Sequence, residues 1–187
     1  LPRRIQLLSA LPEIASPVII DGSSQPGFSG KPVVEVNGSQ TGIPVDGLVF
    51  AGGSNTVRGL VLNGFATALN LKSGNSSIIQ GNYIGTDTRG TNVAGNSGDG
   101  ILVTSAGNQI GGTNAATRNV IAGNLGNGIH FATAAAIGTL IQGNHIGLAA
   151  NGVSLLGNGS NGVFFADGAS FNSVTSSNMI VASGVNG

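Results

Sequence analysis

Apolar residues along the chain come in short runs, broken every few positions by Gly, Asn, Ser and Thr. Three patterns recur in fixed order. The first is an apolar-x-apolar triplet: Leu48-Val49-Phe50, Leu69-Asn70-Leu71, Ile101-Leu102-Val103, Ile129-His130-Phe131 and Val163-Phe164-Phe165. Gly100, Gly128 and Gly162 stand directly before the last three. The second is a short apolar step, usually ending in Gly: Val57-Arg58-Gly59, Ile79-Gln80-Gly81, Ile110-Gly111-Gly112, Ile141-Gln142-Gly143 and, more weakly, Val174-Thr175. The third is Asn-x-Ile: Asn82-Tyr83-Ile84, Asn119-Val120-Ile121, Asn144-His145-Ile146 and Asn178-Met179-Ile180.

Runs this short, rich in Val, Ile, Leu and Phe and punctuated by Gly and Asn, exclude helices of useful length. The Gly-led triplets are spaced by 28 and then 34 residues, so the repeat stretches. The added length falls in turns, chiefly 86–97 and 148–160, with a further insertion at 113–118. Constant strands with variable turns predict an all-β chain: a right-handed parallel β-helix, or β-solenoid, of about six coils with three short parallel sheets. At about 4.8 Å per coil this is a rod roughly 30 Å long.

Strand alternation directs the outer two residues of each triplet inward. Phe50, Leu71, Val103, Phe131 and Phe165 are therefore expected in one interior stack. The middle residue of Asn-x-Ile varies freely, as a residue pointing away from the shared core does. Asn82, Asn119, Asn144 and Asn178 are expected to stack at one turn as an asparagine ladder, each bond contributing about 1 kcal/mol net. Residues 1–47 read as a less regular first coil, with strands expected at 5–8, 18–20 and 33–36, and residues 48–187 as regular coils of the same single domain. All six prolines fall before residue 48, marking turns and edges. Neither end shows an amphipathic capping helix, which solenoids need. The chain therefore reads as a piece of a longer protein, or as one whose ends another molecule covers.

Only 7% of the 187 residues are charged, and the formal net charge is zero. The seven Lys and Arg are scattered, which argues against nucleic acid as a partner. The absence of Cys excludes disulfides and thiolate metal sites. No apolar run approaches the length of a membrane span, so no membrane insertion is expected.

Little in the sequence reads as chemistry. Polysaccharide hydrolysis needs two carboxylates flanking the bond, and the acids are Glu13, Asp21, Glu35, Asp46, Asp87, Asp99 and Asp167. Asp99 aligns with Asn127 and Asn161 and reads as a turn residue. Asp87 lies in a long turn, where it could meet Asp99, and Asp167 follows a strand. The outward column Val49, Asn70, Leu102, His130 and Phe164 carries no acid, and Asn70, His130 and Phe164 are its candidates for a ligand face. His130 and His145 each stand alone in their columns, which gives no zinc site. Gly98-Asp99-Gly100 offers too few oxygens for calcium. The GxGxxG match at 157–162 neither follows a βαβ strand nor opens a helix. No catalytic residue, metal or cofactor is expected.

Certain segments resemble a known family. These are Ile19-Ile20-Asp21-Gly22-Ser23-Ser24-Gln25-Pro26-Gly27, Val34-Glu35-Val36-Asn37-Gly38-Ser39, Ile79-Gln80-Gly81-Asn82-Tyr83-Ile84-Gly85-Thr86-Asp87 and Asn119-Val120-Ile121-Ala122-Gly123-Asn124. They are similar to the pectin-lyase-like right-handed β-helix repeats of large secreted or surface proteins of bacteria, over nearly the whole chain. The resemblance implies an extracellular or cell-surface location. It does not decide activity, because that superfamily mixes enzymes with adhesins. The expected function is a structural or adhesive module: a rigid spacer, filament subunit or surface-display rod. Its partners would be further copies end to end or flanking domains of the same protein. The alternative is a polysaccharide-binding or polysaccharide-cleaving β-helix with carbohydrate as partner.

Overall fold

The computed structural model describes residues 3–181, 183 and 184. It is a parallel β-helix, with 32% strand and 3% helix. Three sheets run along it, and every pairing between named strands is parallel. A seven-stranded sheet contains β1 (Arg3–Gln6), β3 (Val34–Asn37), β6 (Leu60–Asn63), β9 (Tyr83–Ile84), β12 (Val120–Ile121), β15 (His145–Ile146) and β18 (Met179–Ile180). A five-stranded sheet contains the triplets β4 (Leu48–Phe50), β7 (Leu69–Leu71), β10 (Ile101–Val103), β13 (Ile129–Phe131) and β16 (Val163–Phe165). A six-stranded sheet contains β2 (Ile19–Asp21), β5 (Thr56–Arg58), β8 (Ile78–Gln80), β11 (Gln109–Gly111), β14 (Leu140–Gln142) and β17 (Ser173–Val174). From β4 on, the chain visits the sheets in strict rotation, so each of the three sequence patterns builds one wall.

The irregular opening follows the same path. Ile14 bridges Phe50 in parallel, which supplies the five-stranded sheet's position in the first coil. β3 pairs with β1 through Arg3↔Val34 and Ile5↔Val36. The run at 33–36, expected as part of the first coil, therefore starts the second.

Register aligns like with like. Ile84, Ile121, Ile146 and Ile180 stack in one column, and Val57, Ile79, Ile110, Ile141 and Val174 in another. Phe50, Leu71, Val103 and Phe131 are buried as expected, but Phe165 is 41% exposed. Its ring stacks on Phe131 with centroids 4.6 Å apart, and no described coil lies beyond it to cover the other face. Phe164, Phe171, Val174 and Met179 are exposed at the same end. At the opposite end Ile5, Leu7, Leu11, Ile20, Val34 and Val36 line an open, largely apolar cavity of about 480 Å³.

The outward column of the seven-stranded sheet corrects a simple inside-outside reading. Val61, Tyr83, Val120 and His145 point away from the main core yet are buried. The long turns fold back over them as hairpins, held by the antiparallel bridges Thr86↔Val93 and Leu148↔Leu155. Ala150 and Leu156 from the second hairpin pack on this satellite cluster. The Ala150 N–H donates to the Gly90 carbonyl at 2.8 Å, joining the two hairpins.

Candidate functional site

Asparagines recur at the corners between the sheets. Asn82 donates from its backbone N–H and its side-chain Nδ2 to Asn119 Oδ1, at 3.0 and 3.2 Å. Asn119 does the same to Asn144 Oδ1, at 3.2 and 2.9 Å, and Asn144 to Asn178 Oδ1, at 3.0 and 3.1 Å. Each Nδ2 also donates back to a carbonyl of the preceding coil: Val57, Ile79, Ile110 and Ile141 in turn. Both amide hydrogens and the amide oxygen are thus engaged at these buried corners. An unpaired group there costs about 1–3 kcal/mol.

Two further ladders escaped the sequence reading. Asn96, Asn124 and Asn158 form one, through bonds of 2.7 and 2.9 Å between side chains. Another corner mixes residue types. Val18 N–H donates to Asn55 Oδ1, Asn55 Nδ2 to Ser77 Oγ, Ser77 N–H to Asn108 Oδ1, Asn108 N–H to Thr139 Oγ1 and Thr139 N–H to Asn172 Oδ1. An N–H needs only a short side-chain oxygen, so Ser and Thr stand in for Asn. The signal for the first was the Gly-Asn that recurs before each of the three Gly-led triplets, at 95–96, 123–124 and 157–158; the second had none.

The fourth corner differs in polarity and carries two of the acids, Asp46 and Asp99. Asn127 donates from its N–H and Nδ2 to Asp99 Oδ1, at 2.7 and 2.8 Å. Asn161 likewise donates to Asn127 Oδ1, at 3.1 and 2.9 Å. Here donors face the earlier coil, so the chain of bonds ends on a carboxylate. The second oxygen of Asp99 lies 2.8 Å from His130 Nδ1. Asp46 repeats the arrangement: Oδ1 accepts from Thr67 N–H at 3.2 Å and Oδ2 from Asn70 Nδ2 at 2.8 Å. An acid two residues before one triplet thus holds the middle side chain of the next coil's triplet.

This revises the outer face of the five-stranded sheet. The column itself holds no acid, as expected, but Asp46 and Asp99 reach it from the adjoining corner. His130 is paired, and its ring lies 5.2 Å from that of Phe164, tilted by 36°. Asn70, His130 and Phe164 share the column with Val49 and Leu102, partly or fully accessible. Asn70 Oδ1 is buried without a hydrogen-bond partner among the described residues. With Nδ1 bonded to a carboxylate, the other nitrogen of His130 is left to act as an acceptor or base.

The other candidates are scattered. Asp87 accepts from Thr91 N–H, Asn92 N–H and Asn92 Nδ2 within its own loop, and these bonds hold its carboxyl below the usual range against the opposing effect of burial. It shares no partner with Asp99. Asp167 is exposed in a tight turn with φ 50°, followed by Gly168 at φ 82°. His145 lies under the 148–156 hairpin, its Nδ1 3.2 Å from the Ala149 carbonyl. Burial pushes its pKa down, and Arg118 nearby adds to that. Asp21 is held down to about 2 by Arg58, 2.7 Å away. Gly157 to Gly162 turn into β16 without opening a helix. No cluster of three or more His, Cys, Asp or Glu suited to a metal ion occurs among the described residues. No described helix is long and apolar enough to cross a membrane.

No protein-family model matches the chain, and neither a curated protein nor a solved structure matches it.

Proposed function

We propose that this chain is an extracellular structural or adhesive module, a rigid β-solenoid spacer or filament subunit acting without catalysis. The observation that carries this reading is the state of the two ends. Among the described residues both present the same three-sheet cross-section, with β1 and β18 each paired on one side only and apolar interior residues open beside them. An open parallel edge is a template for another strand. A head-to-tail contact between such ends does not close on itself and builds a filament. The repeat resemblance supports a pectin-lyase-like ancestry and a bacterial cell surface. Electron microscopy and size-exclusion light scattering of the purified chain test the reading. Filaments or end-to-end oligomers are expected. A monomer at all concentrations overturns the filament form and leaves the spacer form, which requires flanking coils.

A second reading rests on the outer face of the five-stranded sheet. Asp99 with His130, Asp46 with Asn70, and the Phe164 ring beside them give it hydrogen-bonding groups and an aromatic surface suited to a polysaccharide. A glycan-array and reducing-end screen of wild type and His130→Ala tests it. Binding or cleavage that is lost in the variant supports it, and absence of both removes it.

A further inference from the structure

We propose that a pocket on the outer side of the seven-stranded sheet binds a compact anionic ligand, the size of one acidic sugar or sugar-phosphate unit, through Lys31, Arg89 and Arg118. The three cations come from separate coils: Lys31 from the connection between β2 and β3, Arg89 from the hairpin after β9, and Arg118 from the turn before β12. They converge on one recess of about 270 Å³, floored by Tyr83 and Val120. That volume lies just below the roughly 300–1,000 Å³ of common small-molecule sites, so it suits a single ring-sized unit.

The charge balance of the molecule singles this recess out. Arg4, Arg58 and Lys72 are each ion-paired, with Glu35, Asp21 and Glu13. Among the described residues, Lys31, Arg89 and Arg118 have no carboxylate partner, and the one other cation without one, Arg3, stands apart at the β1 end. In a chain with seven cations, gathering three into one recess without a counter-charge is the opposite of the scatter seen in the sequence. Arg118 is also aimed: its Nε donates to the Gly143 carbonyl at 3.1 Å, which fixes the guanidinium plane and leaves its outer nitrogens unspent. A planar fork with a second guanidinium and an ammonium around it matches the oxygens of a carboxylate, sulfate or phosphate. Asp87, whose charge is felt at Tyr83, has its oxygens bonded to Thr91 and Asn92 within its own hairpin rather than to the three cations.

Calorimetric titration of the whole chain at low salt, with inorganic phosphate, sulfate and glucuronate as separate probes, tests this. Saturable one-site binding of at least one probe is expected. It should weaken about tenfold or more, roughly 1.4 kcal/mol, in Arg89→Ala and in Arg118→Gln. Arg58→Ala, outside the recess, should bind as wild type does. Unchanged thermal melts show that the variants are folded, and Arg89 is exposed on a hairpin where truncation leaves the core intact. Glucuronate binding without phosphate or sulfate binding identifies a carboxylate-bearing sugar; the converse identifies a phosphate or sulfate ester. The proposal is overturned if no probe saturates, if Arg89→Ala binds like wild type, or if Arg58→Ala weakens binding equally.

Discussion

His130 Nδ1 lies 2.8 Å from Asp99 Oδ2, although 31 residues separate them in sequence. The other oxygen of the same carboxylate accepts two bonds from Asn127. Asp99 therefore does two jobs, ending a corner ladder and orienting a side chain on the outer face. The carboxylate places the proton of neutral His130 on Nδ1. Long-range proton–nitrogen spectra should show that tautomer, and Asp99→Asn should disturb it. Asp99→Ala should destabilise the fold by about 2 kcal/mol, because hydrogen bonds to a charged group are worth about 1.5–3 kcal/mol. A wild-type imidazole protonated on Nε2 alone contradicts this account of the pair.

Asn119 sits at the centre of its ladder, fully buried, with four side-chain hydrogen bonds. Asn119→Ala leaves the Asn82 N–H and one hydrogen of Asn82 Nδ2 without their acceptor. A loss of about 3 kcal/mol is expected from groups that each cost about 1–3 kcal/mol when left unpaired. Asn178→Ala, at the half-buried end of the ladder, should cost less than half of that. Denaturant unfolding of the two variants checks the ranking, and equal losses count against the ladder as the source of stability.

The walls were legible in the sequence because each strand type repeats its own pattern. The first ladder was legible for the same reason, since Asn recurs at one fixed place. Asp99 was read as a turn residue from its alignment with Asn127 and Asn161, and it does end that corner's ladder. Its second oxygen, toward His130, was hidden because the contact crosses from a turn of one coil to the strand of the next. The burial of Tyr83 and His145 was hidden because a varied column looks solvent-facing whether or not a hairpin folds over it. The Gly-led triplets also carried an ambiguous signal. Gly128 is needed for close approach, since a Cβ there would sit 2.6 Å from the Gly162 carbonyl oxygen and 2.9 Å from Asn158 Nδ2. Gly143 is needed on both counts, since its φ is 69° and a Cβ there would collide with the Gly112 carbonyl oxygen.

His145, Asp21 and Asp87 all contribute to the acid side of the stability profile. The pKa of His145 is lowered in the fold, first by burial and then by Arg118. The unfolded chain therefore takes up a proton below about pH 6.5 that the folded chain resists, and stability falls as pH drops through that point. Asp21 is depressed from 3.8 to about 2 by Arg58, so its contribution is complete above pH 4 and is lost between about 4 and 2. Because Arg58 is half exposed, that second loss should stay under about 1 kcal/mol. Thermal melts from pH 8 to 5 should show a decline that His145→Gln reduces. A decline of the same size in His145→Gln assigns it to other groups.

The last coil should be the weakest part of the rod, and two stacked rings make that measurable. Phe131 is fully buried, whereas Phe165, stacked on it, keeps 41% of its surface exposed. Truncating a buried phenylalanine costs about 3–5 kcal/mol, from lost burial and the cavity left behind. Phe131→Ala should fall in that range and unfold the chain cooperatively. At Phe165 the ring is open on one side, so the site can relax and less area is returned to water. Phe165→Ala should cost about 1–2 kcal/mol on the same area scale. If the chain stacks end to end, Phe165 becomes an interior residue in every copy but the last. The cost of Phe165→Ala should then rise with protein concentration in the wild-type background, as oligomerisation is linked to folding. Chemical unfolding of both variants at two widely separated concentrations distinguishes the cases. A Phe165→Ala cost that is independent of concentration places this face at the end of a lone rod. A cost that climbs toward that of Phe131→Ala places it inside a filament.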